Sequence, residues 1–166
     1  MFVFLIFYLI VLPMTTLLHE IGHGLGVIVS SKAQAKIYLG NPNEKNMENF
    51  RLGRLHFHIN WSYIGYCYWG SELNKQQRIC TLLGGPAMSL LISVACFLFA
   101  FVISSGDLHS LLRGTAMLNL FQFIITIIPI TYPRWMSGYS RQPSDGMQLL
   151  RLIKESPTFQ NTQFKK

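Results

Sequence analysis

The chain has 166 residues, half of them hydrophobic and only 13% charged, against about a quarter charged in an ordinary soluble domain; its mean hydropathy is +0.30. Such a composition points to one membrane-embedded domain. The formal charge of +7 sits almost wholly in residues 32–78 and 134–166, with Arg113 alone between them. Basic residues that flank apolar runs set orientation in a bilayer; no basic face interleaved with aromatics is present, so nucleic acid is not expected as a partner. Cys67, Cys80 and Cys96 are an odd, widely spaced set, which excludes a disulfide framework and a CxxC metal site.

Residues 2–18 carry no charge, and the helical pattern continues to Val29. A secretory signal would show a basic start and a small-residue cleavage site. Met1 is followed directly by Phe2-Val3-Phe4, so a retained first span over 2–29 is expected. A β-rich insert over 35–70 follows. Ile37–Leu39 and Arg51–Ile59 read as strands, with polar and apolar residues alternating through Arg54–Ile59. Asn41-Pro42-Asn43 is a turn signal. Trp61, Tyr63, Tyr66, Tyr68 and Trp69 suit either a membrane–water interface or the packed base of a small sheet. A β-hairpin lying against the bilayer satisfies both.

Further apolar runs over 79–103 and 108–132 are each long enough to cross about 30 Å of hydrocarbon. The link Ser104–Asp107 is short. Residues 147–155 carry the spacing of a short amphipathic helix, and 156–166 form a polar tail. The expected fold is a mainly α membrane protein: a three-transmembrane-helix core in one domain, 1–155, with a small β-hairpin or sheet between helices 1 and 2. Loop charge places the N-terminus outside and both basic stretches, with the C-terminus, in the cytoplasm.

The chemistry concentrates in His19-Glu20-Ile21-Gly22-His23, an HExxH motif. Four residues turn a helix by about 400°, so the two imidazoles share a face one turn apart. That is the geometry two metal ligands need, and Glu20 lies close enough to handle the proton of a water. Phe2 to His19 spans about 26 Å of helix, which places the motif inside the inner leaflet. A carboxylate there costs roughly 2.5–3.5 kcal/mol; the bland alternative is a motif solvated at the membrane edge. Gly22, Gly24 and Gly26 allow close helix approach or entry of an extended peptide.

A catalytic metal site takes three protein ligands as a rule, so a third must come from elsewhere. Asp107 and His109 fall on the outer side. His56 and His58 share a strand face, and a solvated sheet face explains their period-2 spacing more simply than metal binding does. Asp145, in Ser144-Asp145-Gly146, is on the inner side ahead of the last helix. As a residue it is equally well read as a ligand or as a helix N-cap.

Taken together, His19–His23, Gly84-Gly85-Pro86 with Ala87-Met88-Ser89, and Ser144-Asp145-Gly146 resemble, in order and approximate spacing, the three motifs of the site-2 protease family of intramembrane zinc metalloproteases. The resemblance covers the whole chain in a minimal three-helix form. It implies one Zn2+ per chain held by His19, His23 and Asp145, with Glu20 as general base and then general acid. Asn119 and Pro129 are similar to the Asn and Pro that precede the family's Asp-Gly pair, although Ile130–Pro143 lies between them and Asp145 like an insertion. Asn119 would act in the transition state or as a hydrogen-bond donor between helices; Gly85 and Pro86 would serve substrate or structure. The implied activity is endoproteolysis of a membrane-embedded or membrane-anchored protein in the lipid bilayer of a bacterial plasma membrane, with segment Arg51–Trp69 offering an edge to an extended substrate. The alternative is a membrane protein of the same fold that keeps the metal site but acts as a binding partner or scaffold.

Overall fold

The computed structural model describes residues 2–154 except 44, 71, 104 and 137; the expected polar tail over 156–166 lies outside the described residues. Ten elements follow one another: α1 (Phe2–Ile6), a π-helical segment (Phe7–Val11), α2 (Leu12–Ser30), β1 (Ala35–Leu39), β2 (Phe50–Leu52), β3 (Leu55–Ile59), β4 (Gly65–Trp69), α3 (Lys75–Val102), α4 (Asp107–Ile127) and α5 (Asp145–Lys154).

α1, the π segment and α2 run on as one helix, because the residues at both joints keep right-handed helical angles. The π segment sits where Pro13 removes a backbone donor. A proline leaves the carbonyl four residues earlier without its helical partner, here Leu9. The indole of Trp61 supplies the missing donor, with Nε1 donating to the Leu9 oxygen at 3.1 Å. Trp61 therefore ties the loop before β4 to the first helix, a more specific task than either the interfacial or the sheet-base placement expected from its sequence neighbours.

α3 begins at Lys75 rather than at Ile79, because a capping box sets its start: Gln77 N–H donates to the Asn74 side chain at 2.9 Å and Asn74 N–H to the Gln77 side chain at 3.0 Å. Its polar first turn is invisible to a search for apolar runs. α4 ends at Ile127, short of the Tyr132 expected from hydropathy. Ile128 is extended (φ −66°, ψ 130°), the conformation a following proline imposes, and Pro129 follows. His109 lies in the first turn of α4, with Nδ1 donating to the carbonyls of Ala100 and Ile103 at 3.1 and 2.5 Å. It closes the end of α3 rather than serving any site.

The insert is a four-stranded mixed sheet in the order β2-β3-β1-β4, not a simple hairpin. β1 pairs parallel with β3 in the register Ile37 to Phe57, and antiparallel with β4 in the register Ile37 to Cys67. β2 and β3 form a hairpin around Gly53, whose φ of +57° suits a residue without a side chain. Arg54 in that turn caps α2: its guanidinium donates to the carbonyls of Ile28 at 2.6 Å and Ser31 at 2.5 Å. Both groups are orphan acceptors at a helix C-terminus, where a cation also meets the negative end of the dipole.

α2 lies between the sheet and α3. Ala35, Ile37, Leu39, Leu55 and Phe57 from the sheet bury against Val27 and Leu17 of α2. On the opposite side the backbones of α2 and α3 nearly touch, since a Cβ on Gly22 would lie 2.4 Å from the Gly84 oxygen and one on Gly84 2.2 Å from the Gly22 oxygen. Small residues permit that approach. α3 and α4 are joined by Ser93, whose hydroxyl donates to the Ala116 carbonyl at 2.8 Å.

Three helices, Val3–Ser30, Lys75–Val102 and Asp107–Ile127, are long and apolar enough to cross a membrane. At most 28% of the most apolar window of each is buried inside the protein. Phe4, Val29, Leu91, Phe101, Val102 and Phe121 are among the large apolar side chains left exposed. Large apolar side chains exposed in such number along three helices suit a lipid environment.

Candidate metal centre

His19 and His23 project from α2 toward α3 and α5 and are buried. Each imidazole is oriented through Nδ1. The His23 Nδ1–H donates to the Thr81 carbonyl at 2.7 Å, and His19 Nδ1 lies 2.8 Å from the Ser89 hydroxyl. A carbonyl oxygen only accepts, so the His23 proton is fixed on Nδ1 and its other nitrogen faces inward with a lone pair in the neutral ring. The two Nε2 atoms stand 3.2 Å apart. Gly85 makes the room, because a Cβ there would lie 2.2 Å from His23 Nε2.

Asp145 completes a triangle. Its Oδ2 lies 3.5 Å from His19 Nε2 and 3.4 Å from His23 Nε2. Burial raises the Asp145 carboxyl and the neighbouring imidazoles lower it, and the lowering prevails. Edges of 3.2, 3.4 and 3.5 Å match the face of a tetrahedron whose centre lies about 2.0–2.1 Å from each ligand atom, an edge of about 3.3 Å. His19, His23 and Asp145 are the group among the described residues that can hold a metal ion, and their donor set fits one: two inward nitrogens and a carboxylate oxygen converge on one point.

The stretch 130–143 does not carry Asp145 away. It folds back on itself through a bridge between Thr131 and Pro143 and a bond from Tyr132 N–H to the Gln142 carbonyl at 2.9 Å. Its two ends therefore meet beside the end of α4. Ser144 fastens them: its hydroxyl donates to the Ile128 carbonyl at 2.7 Å and accepts from Met147 N–H at 3.1 Å. Ser144 is thus the N-cap of α5, which leaves the Asp145 carboxylate free for the imidazoles. Gly146 presses on α4 so closely that a Cβ would lie 1.8 Å from the Ile127 carbonyl oxygen.

Glu20 is buried beside this triangle and borders a cavity of about 540 Å³ shared by His19, His23, Gly65, Tyr139 and Asp145. Among the described residues its carboxylate makes no hydrogen bond. Opposite it runs β4, whose Gly65 allows the strand in: a Cβ on Gly65 would lie 2.6 Å from the Glu20 Cγ. Tyr139, from the 130–143 loop, accepts from Gly65 N–H at 2.8 Å and donates to the Gly65 carbonyl at 3.0 Å. Burial, and the Glu20 charge after it, push the Tyr139 hydroxyl well above its ordinary range, so it stays protonated and can do both.

The other residues singled out in the sequence lie elsewhere. Asn119 is fully buried in α4, donates to the Thr115 carbonyl of its own helix at 2.8 Å, and does not border the cavity. Pro86 is buried within α3. His56 and His58 are not on a solvated face: both are buried. The segment before β2 covers them, with His56 Nδ1 bonded to Glu48 at 2.8 Å and His58 Nδ1 to the Asn46 carbonyl at 3.0 Å. The edge next to the cavity is β4 alone, since β3 is interior to the sheet.

Sequence reasoning overlooked Ser89, the Thr81 carbonyl, Gly65 and Tyr139. Ser89 had a visible signal, a hydroxyl one turn after Gly85 in an apolar helix. The roles of Gly65 and Tyr139 depend on a contact between distant segments that no local pattern encodes. Protein-family models, curated proteins and solved structures were all compared with this chain, and none matches it.

Proposed function

We propose that this chain is an intramembrane zinc metalloprotease, a minimal member of the site-2 protease class that its three motifs resemble. One observation carries the reading. Two imidazole nitrogens and a carboxylate oxygen form a triangle of metal-site dimensions, with an unbonded carboxylate, Glu20, beside them at the wall of a cavity. A His, His, carboxylate set with one side open is the pattern of hydrolytic zinc. The exposed apolar surface of the three long helices supports burial of the site in a bilayer, with the basic residues of the insert and of the C-terminal part toward the cytoplasm.

In this reading zinc supplies Lewis acidity toward a carbonyl and lowers the pKa of water at the site. His19 and His23 offer Nε2 to it, held in orientation by Ser89 and by the Thr81 carbonyl; Asp145 offers Oδ2. Glu20 takes a proton from the attacking water at its carboxylate and returns it to the nitrogen of the leaving amine. The backbone carbonyls of a helix are tied up in its own hydrogen bonds, so a helical substrate unwinds before it is cut.

The test is made on protein purified in detergent. Zinc is measured, and cleavage of a membrane-anchored reporter is compared across variants. Glu20→Gln is expected to keep stoichiometric zinc and to lose at least about 10²-fold in turnover. His19→Ala and Asp145→Ala are expected to lose both. Absence of bound zinc in the folded protein, or full turnover by Glu20→Gln, overturns the proposal.

A further inference from the structure

With the free edge of β4 taken as the side a substrate backbone approaches, the geometry points to Tyr139 as a built-in plug that occupies the first position of that edge until its side chain withdraws. This inference deepens the proposed function and rests on its assignment of the cavity as a peptide site.

β1 and β4 form an antiparallel ladder. Gly40 N–H donates to the Ile64 carbonyl and Gly70 N–H to the Gln34 carbonyl, with Leu39 opposite Gly65 and Ala35 opposite Trp69. In an antiparallel pair the bonded and non-bonded positions alternate. The N–H and C=O of Gly65, Cys67 and Trp69 therefore point away from β1, to the free edge. β4 ends the sheet order on this side, and all three residues border the cavity that holds His19, Glu20, His23 and Asp145.

An unpaired edge is a template for another strand. Among the described residues, Cys67 and Trp69 bond nothing across it. Gly65 does: its N–H and its C=O both engage the one hydroxyl of Tyr139. A peptide in the next strand would offer one acceptor and one donor to the same two groups. The tyrosine hydroxyl, which accepts and donates at once, mimics that peptide at the level of Glu20. A second bond holds the plug, from the Tyr66 hydroxyl to the Gly138 carbonyl at 2.6 Å. Gly138 also packs on Ile64 and the Tyr139 ring on Tyr66, while the position of Asp145 is set separately by the Thr131–Pro143 bridge and Ser144, so withdrawal of the Tyr139 side chain leaves the anchors of Asp145 in place.

The occupant is an extended segment of a membrane-anchored polypeptide, recognised through its backbone. The probe is a fluorescent octapeptide of alternating valine and threonine, titrated into detergent-solubilised protein carrying Glu20→Gln so that no cleavage intervenes. Adding Tyr139→Phe removes the competing hydroxyl and is expected to lower the dissociation constant about tenfold, the effect of one to two ordinary hydrogen bonds. Tyr66→Phe, which only loosens the plug, should give a smaller gain in the same direction. The same peptide N-methylated at alternate residues should lose the gain. Unchanged affinity in Tyr139→Phe overturns the proposal, and so does a gain that survives N-methylation, which would mark mere widening of the cavity. Zinc content and thermal midpoint equal to the parent's confirm that the variants are folded. Loss of the zinc-protease reading would show as missing zinc or retained Glu20→Gln turnover, with peptide binding unaffected, so the two failures are distinguishable.

Discussion

Gly85 of α3 and His23 of α2 fill one another's space: a Cβ on the glycine would lie 2.2 Å from Nε2 of the imidazole and 2.6 Å from its Cε1. The nitrogen that a metal would use is the very atom a side chain would strike. His23 cannot retreat without giving up its bond to the Thr81 carbonyl. Gly85→Ala is therefore expected to abolish stoichiometric metal binding. Gly70→Ala is the control, because nothing lies within 4 Å of a Cβ at that position. Metal analysis of both purified proteins decides the matter, and normal metal content in Gly85→Ala would refute this account of the glycine.

Ser89 touches the site only through His19 Nδ1, at 2.8 Å, yet it fixes the orientation of that ring. Removing a partner of this kind from a metal ligand lowers affinity about 10–100-fold. Ser89→Ala should do so while leaving maximal zinc stoichiometry intact at saturating metal. Competition with a chromophoric chelator measures the shift. Ser93→Ala serves as a comparison, since its hydroxyl bonds α4 and no metal-facing residue; it should leave zinc affinity unchanged.

Glu48 and His56 give the sheet a pH dependence of definite sign. The His56 imidazole, bonded at 2.8 Å, holds the Glu48 carboxyl below its ordinary value. A folded-state pKa that is depressed contributes stability above the unfolded value of 4.5, and that contribution fades as pH falls through the lowered value. Glu48 is largely exposed, so solvent screens the pair and the effect is small. Between neutral pH and the acid range the wild-type thermal midpoint should fall slightly further than that of Glu48→Gln. Parallel pH profiles of the two would count against a role for this pair.

How far the site was legible in the sequence depends on how local each feature is. His19, Glu20 and His23 share one helix, so a fixed angular period places them together. Asp145 could be suspected but not placed, because its position depends on a loop that closes on itself at Thr131 and Pro143 and on Gly146 lying flush against α4. The long helices were visible as apolar runs, but their ends were not. Hydropathy cannot see the polar capping box at Asn74, nor that Pro129 stops α4 while the apolar run continues. The sheet was readable as strands but not as a topology. The parallel pairing of β1 with β3 joins segments separated in the chain, and the segment before β2 covers His56 and His58, which alternation alone would leave in solvent.

The Leu9 carbonyl offers the last test, because two residues distant in sequence decide its fate. Pro13 deprives it of a helical donor, and the Trp61 indole replaces that donor at 3.1 Å. In a hydrocarbon environment water is a poor substitute, and an orphan carbonyl is costly. Trp61→Phe keeps the aromatic bulk but loses the N–H, so it should destabilise the protein by about 1–2 kcal/mol. Pro13→Ala restores an amide able to donate to Leu9, so Trp61→Phe should cost much less in that background. A double-mutant cycle by denaturant titration in micelles should therefore show a coupling of about 1 kcal/mol between the two positions. Additive effects would mean that the indole acts only as an anchor at the membrane surface and that the freed carbonyl finds another partner.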